Sequence, residues 1–563
     1  MISSQRDRIY VFLYGISFIL ATAFLFWKCK FGFAHVDESF YLTIPFRLCQ
    51  GDSLFLHEWN LSQMSAFLLY PVVWLYRIVF PDTVGVLFHF RLLFTFAWAM
   101  AALFFFFRLK RFSLVGAILA SLVFLFYTPF GIMALSYNSM GILFLLCACV
   151  LAVSSENSGP SLIFAGFFLA GAILCCPHLL VLYILLTASA FVVLLWKQKE
   201  VMHFWLFFSF GCSIMLALFC LFLFSRASIR DLIVAFPELF QDPSHSNPGF
   251  FSKLTGYCED ILYCNRAFIP GLFVFALSCI LAFWKKGRKI GFSLVCLAAS
   301  AIILCFLVED PYINYLMFPI NIPGFYCALI SSDRNIRRLF LGFWLPGCIY
   351  SFCIHLSSNQ EFYAISSAST VMVVASIMIL ICHLREQDWQ DNSFIMYRKA
   401  AYFAFALLIS VQICGEVYLR YVSVFWEPGM QEQTVLCETG PEKGILMSPE
   451  ALQDYQLQEN DIAIICKDEK IQKILFLSRN TYLYLIAQKE YATYSAWLGG
   501  VNAHTMERLD RYYDLFPGKK PDGIYIEKQY IDYAEDFLAA GYVADELPSG
   551  ALLLTRFPQN SGE

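Results

Sequence analysis

IYVFLYGISFILATAFLFW-KCKFGF-AHVDESFY, residues Ile9 to Tyr41, decides how the whole chain is read. Its first part, Ile9 to Trp27, is apolar and long enough to cross a hydrocarbon core, which takes about 20 residues. Arg6 and Arg8 precede it, as they would in a signal peptide. The run ends in Phe26-Trp27-Lys28, with no small-residue cleavage site, so the expectation is a retained first membrane helix. Just beyond it stand two adjacent acids, Asp37 and Glu38. Removing a carboxylate from water is costly unless something offsets it. The pair therefore reads in two ways: as a place where a proton moves, or as two solvated loop acids.

Working outward, the composition fits a membrane protein. Of 563 residues, 59% are hydrophobic and 15% are charged, and mean hydropathy is +0.62. Soluble domains carry about a quarter charged residues. The net charge of −4 favours no nucleic acid. Most of the 20 cysteines lie inside apolar runs, where they act as small hydrophobes. Two pairs, Cys258/Cys264 and Cys437/Cys466, fall in polar regions, where free thiols and disulfides are both open. No cysteine–histidine set has zinc spacing.

Apolar runs and the positive-inside rule give a topology. Arg108, Lys110 and Arg111 belong inside, so residues 28–87 form a long outer loop and the second span covers about Phe88 to Phe107. Within that loop, Ser65 to Phe80 reads as an interfacial helix. The cluster Lys285-Lys286-Gly287-Arg288-Lys289 is the strongest inside marker. Continuing in this way gives about thirteen spans, with the N-terminus cytoplasmic. The fold class expected is a polytopic α-helical membrane protein with a C-terminal extracytoplasmic α/β domain. The transmembrane part is placed at 1–419, with a second outer loop at 225–266, and the tail domain at 420–563. In the tail, Asp461 to Cys466 and Gly523 to Ile526 read as buried strands. Ala503 to Phe516 and Gln529 to Ala540 read as helices, and Pro548-Ser549-Gly550 as a hairpin turn. The inner loops are short, and no phosphate-binding glycine motif follows a strand.

Several segments together resemble the GT-C superfamily of membrane glycosyltransferases, especially protein O-mannosyltransferases and lipid A aminoarabinose transferases. These are the acidic pair Asp37-Glu38, the segment Leu56-His57-Glu58-Trp59-Asn60 before the interfacial helix, and Pro81-Asp82-Thr83-Val84-Gly85. Arg91-Leu92 at the second span and Pro311-Tyr312-Ile313-Asn314-Tyr315 before a late span complete the set. The sequence departs from the family in two places. His57-Glu58-Trp59-Asn60 lacks the family's prolines, and Asn138 stands where a second acid is often found.

The resemblance implies transfer of a sugar from a polyprenyl-phosphate donor to a hydroxyl on a lipid, glycan or protein acceptor, at the outer face of the plasma (inner) membrane. It implies Asp37 as general base, with Glu38 as its catalytic neighbour. Arg91, His57, Glu58, Tyr315 and Asn138 are the expected substrate and lipid-phosphate contacts. Arg47, Arg226, Arg230, Lys253, Arg266, His89 and His178 are further cationic candidates, each equally readable as an interfacial side chain reaching to headgroups. One base and a good leaving group suggest inversion at the sugar carbon. No cofactor is required by the sequence, and a divalent cation is left open. The competing readings are a transporter or flippase of lipid-linked sugars, an assembly protein acting through its tail, and a ligase using a polyprenyl diphosphate carrier.

Overall fold

The computed structural model describes residues 5–33, 37–156, 158–195, 199–241, 249–386 and 395–556. Ala34, His35 and Val36 of the opening stretch lie outside the described residues. The chain begins with α1 (Gln5–Lys28), α2 (Asp37–Cys49) and α3 (Ser65–Val79). It continues through α4 (Val86–Leu109), α5 (Leu114–Phe126), α6 (Tyr137–Ser154), α7 (Gly159–Cys175), α8 (Leu180–Leu195) and α9 (Lys199–Phe224). Next come α10 (Ile229–Ala235), α11 (Phe250–Tyr263), α12 (Phe268–Leu281), α13 (Lys285–Glu309), α14 (Asn321–Ile330) and α15 (Arg334–Leu339). The last membrane elements are α16 (Leu345–Leu356), α17 (Glu361–Ala368), α18 (Thr370–Leu384) and α19 (Ile395–Val422).

These helices start where the sequence offers caps. Ser113 accepts from the Gly116 amide at the head of α5, and Ser136 and Ser139 form a reciprocal capping box at α6. Among the described residues, eight helices are long and apolar enough to cross a bilayer. They become ten if the pairs α11/α12, bent by 93°, and α17/α18, bent by 50°, each make one span. Leu114–Phe126, Gly159–Cys175 and Pro177–Val193 are apolar but shorter. By length and composition the structure thus gives eight to ten spans, where the sequence suggested about thirteen. Large apolar side chains such as Phe273 and Phe283 are exposed on the bundle surface, as a lipid-facing wall requires. The chain is a polytopic helical membrane protein.

The tail opens with the short hairpin β1 (Val435–Leu436) and β2 (Leu446–Met447), which Phe31 extends by one bridge. It continues with α20 (Pro449–Lys467), β3 (Lys473–Leu477), α21 (Tyr482–Ala487), β4 (Glu490–Tyr491) and α22 (Ala503–Leu515). It closes with β5 (Gly523–Ile526), α23 (Ala534–Ala539), β6 (Tyr542–Glu546) and β7 (Leu552–Arg556). The five-stranded sheet runs β4-β3-β5-β7-β6, parallel on the β4 side and antiparallel through the β6/β7 hairpin.

Two expectations for the tail are corrected. Asp461 to Cys466 is helical, not a strand. Ser448 caps α20 with Pro449 in its first turn, and the buried side chains Leu452, Tyr455, Ile462 and Ile465 follow a helical stripe. Gln529 to Ala540 is a 3-10 turn over Lys528–Tyr533 followed by the short α23, not one helix.

The tail does not stand apart from the bundle. Phe33, Leu42, Phe46 and Leu69 share one buried apolar cluster with Ile474, Phe476 and Tyr482 of the tail. The sheet domain therefore sits directly on α2, and through it on the opening stretch.

Candidate active site

The site is built at the start of α2. Asp37 and Glu38 occupy its first turn, where a helix N-terminus favours carboxylates. Neighbours on a helix point about 100° apart, so the two acids face different surroundings. Pro45, inside the helix, cannot donate to the Tyr41 carbonyl one turn earlier.

Asp37 is half-buried, and among the described residues its carboxylate has neither a hydrogen-bond donor nor a cation. Loss of water pushes its pKa up from 3.8 to about 6, so desolvation outweighs the helix dipole. Three phenols surround it. Tyr41, Tyr137 and Tyr363 all feel its charge, and the Tyr41 ring meets Tyr137 edge-on at 5.7 Å. Burial and the Asp37 charge hold the Tyr41 phenol well above its ordinary value, so it stays a proton donor. Asn138 lies beside the Tyr41 and Tyr137 phenols, which brings the expected position 138 to the site through Tyr41. Tyr315 lies one ring further out, 5.8 Å from Tyr363 and beside Asp310.

Tyr41 also separates two clefts. One runs between α2 and α3 and is lined by Ile44, Ser65, Leu69, Tyr137 and Met140. The other is bounded by Glu38, Leu87, Phe90, Met133 and Ala134.

Glu38 and Arg91 take parts other than the expected ones. Arg91 Nε and Nη2 donate to the two Glu38 carboxylate oxygens at 2.5 and 2.6 Å. Its remaining donors go to the carbonyls of Cys29 (2.9 Å), Phe31 (3.3 Å) and Gly32 (2.6 Å). All five N–H groups of the guanidinium are engaged. Glu38 is 2% exposed and Arg91 5%. The pair is a buried strut between α2, α4 and the end of α1. It leaves Arg91 no donor for a lipid phosphate and Glu38 no free oxygen for catalysis. Gly32 makes this docking feasible. Its φ of +73° is left-handed, and a Cβ there would lie 1.9 Å from Val424 Cγ1.

His57 and Glu58 belong to a second network. Buried Arg47 donates to Asp52 at 2.6 Å, to Glu58 at 3.1 Å, and to the Thr493 carbonyl and Tyr512 hydroxyl of the tail. Lys519 reaches Asp52 at 2.5 Å, and the Ala496 amide donates to Glu58 at 3.1 Å. Burial would raise Asp52, but Arg47, His57 and Lys519 more than offset it and hold its pKa below the usual value. Burial lowers His57 to about 4, so it is neutral at pH 7. Its Nδ1 accepts from the Ser53 amide at 3.0 Å. A neutral imidazole is not a phosphate clamp, and Glu58 is held by Arg47 rather than turned to a substrate. Both residues fasten the tail onto α2.

Among the other cations, Arg226 is held by the Leu48 and Asp52 carbonyls and by Tyr70, and Lys253 by Ser358 and Asn359. Arg230 and Arg266 are exposed. Among the described residues no three His, Cys, Asp or Glu side chains converge as metal ligands do. Cys258 and Cys264 sit six positions apart along α11 and its cap, too far for a bridge on a helix.

Sequence reasoning did not single out Tyr137 or Tyr363. Tyr137 was within reach, being the neighbour of Asn138. Tyr363 gave no signal, since an aromatic residue near a helix end in a membrane protein is ordinary.

No protein-family model matches the sequence, and no curated protein does. Among solved structures, the fold is similar to the archaeal oligosaccharyltransferase AglB from Archaeoglobus fulgidus, solved in complex with an inhibitory peptide and a dolichol-phosphate. The TM-score is 0.49 at 11% identity, over 99% of this chain and 76% of that one.

Proposed function

We propose that this protein is a membrane glycosyltransferase of GT-C type, taking a sugar from a polyprenyl-phosphate carrier to a hydroxyl acceptor at the outer face of the membrane. The observation that carries the reading is Asp37: a desolvated carboxylate with a pKa of about 6 and no partner among the described residues, beside a membrane-spanning helix. A general base works best when its pKa lies near the operating pH. At pH 7 Asp37 is mostly ionised and still basic enough to accept an alcohol proton. In the reaction, the acceptor O–H gives its proton to Asp37 as the oxygen bonds to the sugar carbon. The carbon–oxygen bond to phosphate breaks, and polyprenyl phosphate leaves with the electron pair. Attack opposite the leaving group inverts the sugar carbon. Glu38, turned away and neutralised by Arg91, supplies no second carboxylate for a retaining route. Tyr41, as a phenol, can donate to a sugar hydroxyl or phosphate oxygen in the clefts that it borders.

A transporter would place ionisable groups at mid-membrane. The buried Glu416 and Arg420 fall in the last two turns of α19, at one face, which favours an interfacial enzyme. The test is to incubate purified protein with a panel of polyprenyl-phosphate sugars and a hydroxyl acceptor. The reading expects release of polyprenyl phosphate and a product of inverted anomeric configuration. Retention would rule out direct displacement, and movement of intact donor across vesicles without cleavage would favour transport.

A further inference from the structure

The tip of the β1/β2 hairpin holds a carboxylate that the reaction above does not use. Glu442 is 0% exposed, and neither of its oxygens meets a well-aimed hydrogen-bond donor. Among the described residues no cation pairs with it. Its neighbours are acids, phenols and a thiol: Glu459 and Tyr455 on α20, Glu38 on α2, Tyr482 on α21 and Cys437 just after β1. On α4, Arg91 is taken by Glu38, and His89 keeps its Nδ1 on the Gly85 carbonyl at 2.7 Å. Glu438 and Lys443, in the same tip, are exposed. A carboxylate removed from water with neither donor nor counter-ion is costly as an anion and keeps its proton instead. Burial, with the Glu459 and Glu38 charges adding to it and the Tyr455 phenol opposing it, holds the Glu442 pKa well above the ordinary 4.5.

The same hairpin is laid across two parts of the bundle. At the head of α4 the Gly85 and Leu87 amides donate to the Gly440 and Pro441 carbonyls, at 2.9 and 3.1 Å. Amides at a helix N-terminus are the donors that a nearby carboxylate would otherwise take. Further along, the Gly32 amide donates to the Leu446 carbonyl at 2.8 Å, and the Leu446 amide to the Lys30 carbonyl at 2.6 Å. The Phe31 and Gly32 carbonyls are in turn two of those that hold Arg91. The tip leaves no slack for a hydrated anion. Gly440 has a left-handed φ of +61°, and a Cβ there would stand 1.8 Å from the Tyr455 hydroxyl on α20. Yet the tip is lightly fastened, since β1 and β2 pair over two residues each.

We propose that the β1/β2 hairpin is a proton-operated strap: its tip lies on α4 and α20 while Glu442 carries a proton, and lifts to hydrate the carboxylate when that proton passes to solvent. The bearing of the strap on the Asp37 site rests on the glycosyltransferase reading; the strap itself does not. The lifted tip ionises near the ordinary value and the closed tip above it. Opening is therefore favoured as pH rises from 4.5 toward the raised value, and one proton makes the opening constant grow by up to about tenfold per pH unit.

Amide hydrogen exchange on the full-length purified protein, with no donor or acceptor added, reads this opening. After correction for the intrinsic pH dependence of exchange, protection of residues 437–446 should fall between about pH 5 and 8, by up to about tenfold per unit. Strand β5, in the same domain, should keep its protection. E442Q holds the side-chain shape without the titration and should abolish the fall. Flat protection in wild type, or the same fall in E442Q, would overturn the strap. A fall shared by β5 would mean that the whole domain loosens, and would overturn it equally. The wild-type response and the β5 control decide the matter even where E442Q fails to fold. D37N should keep the wild-type response, so a failed transfer reading leaves the strap standing. A response that vanishes in D37N would assign the titration to Asp37 and overturn the role of Glu442.

Discussion

Asp37 and Glu38 are adjacent and chemically alike, yet their surroundings divide them. Glu38 meets a guanidinium on both oxygens and becomes part of the frame. Asp37 loses water without gaining a partner among the described residues, and its pKa rises toward the range that the proposed base needs. The first consequence is on stability. E38A leaves Arg91 buried without its counter-charge and should cost about 3–5 kcal/mol, seen as a fall in denaturation midpoint. The second is on rate. Because the base must be deprotonated, kcat/KM should rise with pH and level off above about 6, with unit slope below, following the Asp37 ionisation. A flat profile between pH 5 and 8 would remove that ionisation from the rate; the expectation is checked by steady-state kinetics across that range. The adjacency of these acids was plain in the sequence, and so was the argument that they could not share one substrate. Which of them had a partner was not. Arg91 reaches Glu38 across 53 positions, and a span-opening arginine reads the same whether it meets a headgroup or a buried acid.

At the scale of elements, α2 is the part on which both halves of the molecule are fixed. Its N-terminal turn holds the site, and Arg47 near its C-terminal end holds the tail. R47M would leave Asp52 and Glu58 buried without their shared cation, at a cost of about 3–5 kcal/mol. Limited proteolysis should then cut the tail near Thr493 faster than in wild type, with the bundle intact. The apolar helices, α3 among them, were legible because apolar runs and caps are local signals. The tail was less so. Asp461-Ile-Ala-Ile-Ile-Cys466 looks like a strand when read alone, but Ser448-Pro449 upstream starts a helix that carries it. The strand β3, Lys473–Leu477, was missed because short apolar runs look alike in strand and helix.

Across the whole molecule, transfer at Asp37 requires α2, the phenols around it and the sheet domain to lie on one side of the membrane, outside the cell. A cysteine at the exposed position Lys520, in a background with the exposed Cys258, Cys414 and Cys466 replaced, should react with an impermeant maleimide on intact cells. Reaction only after lysis would turn the molecule over and separate Asp37 from its acceptor. The expected topology rests on basic clusters such as Lys285 to Lys289, and this labelling tests it. The span count was not legible in the sequence, since Leu114–Phe126 and Gly159–Cys175 are shorter than a bilayer needs and their depth depends on packing.

The most direct test of Asp37 as proton acceptor is D37N in purified protein with its polyprenyl-phosphate sugar donor. Ionisation of Asp37 opposes folding as pH rises from 3.8 through about 6, because the folded state holds the proton more tightly. D37N removes that opposition, so at pH 7 it should be as stable as wild type or more so, by up to about 3 kcal/mol. The expected result is a well-folded variant that transfers sugar about 10²–10⁴-fold more slowly. A variant that folds and transfers at the wild-type rate would contradict it.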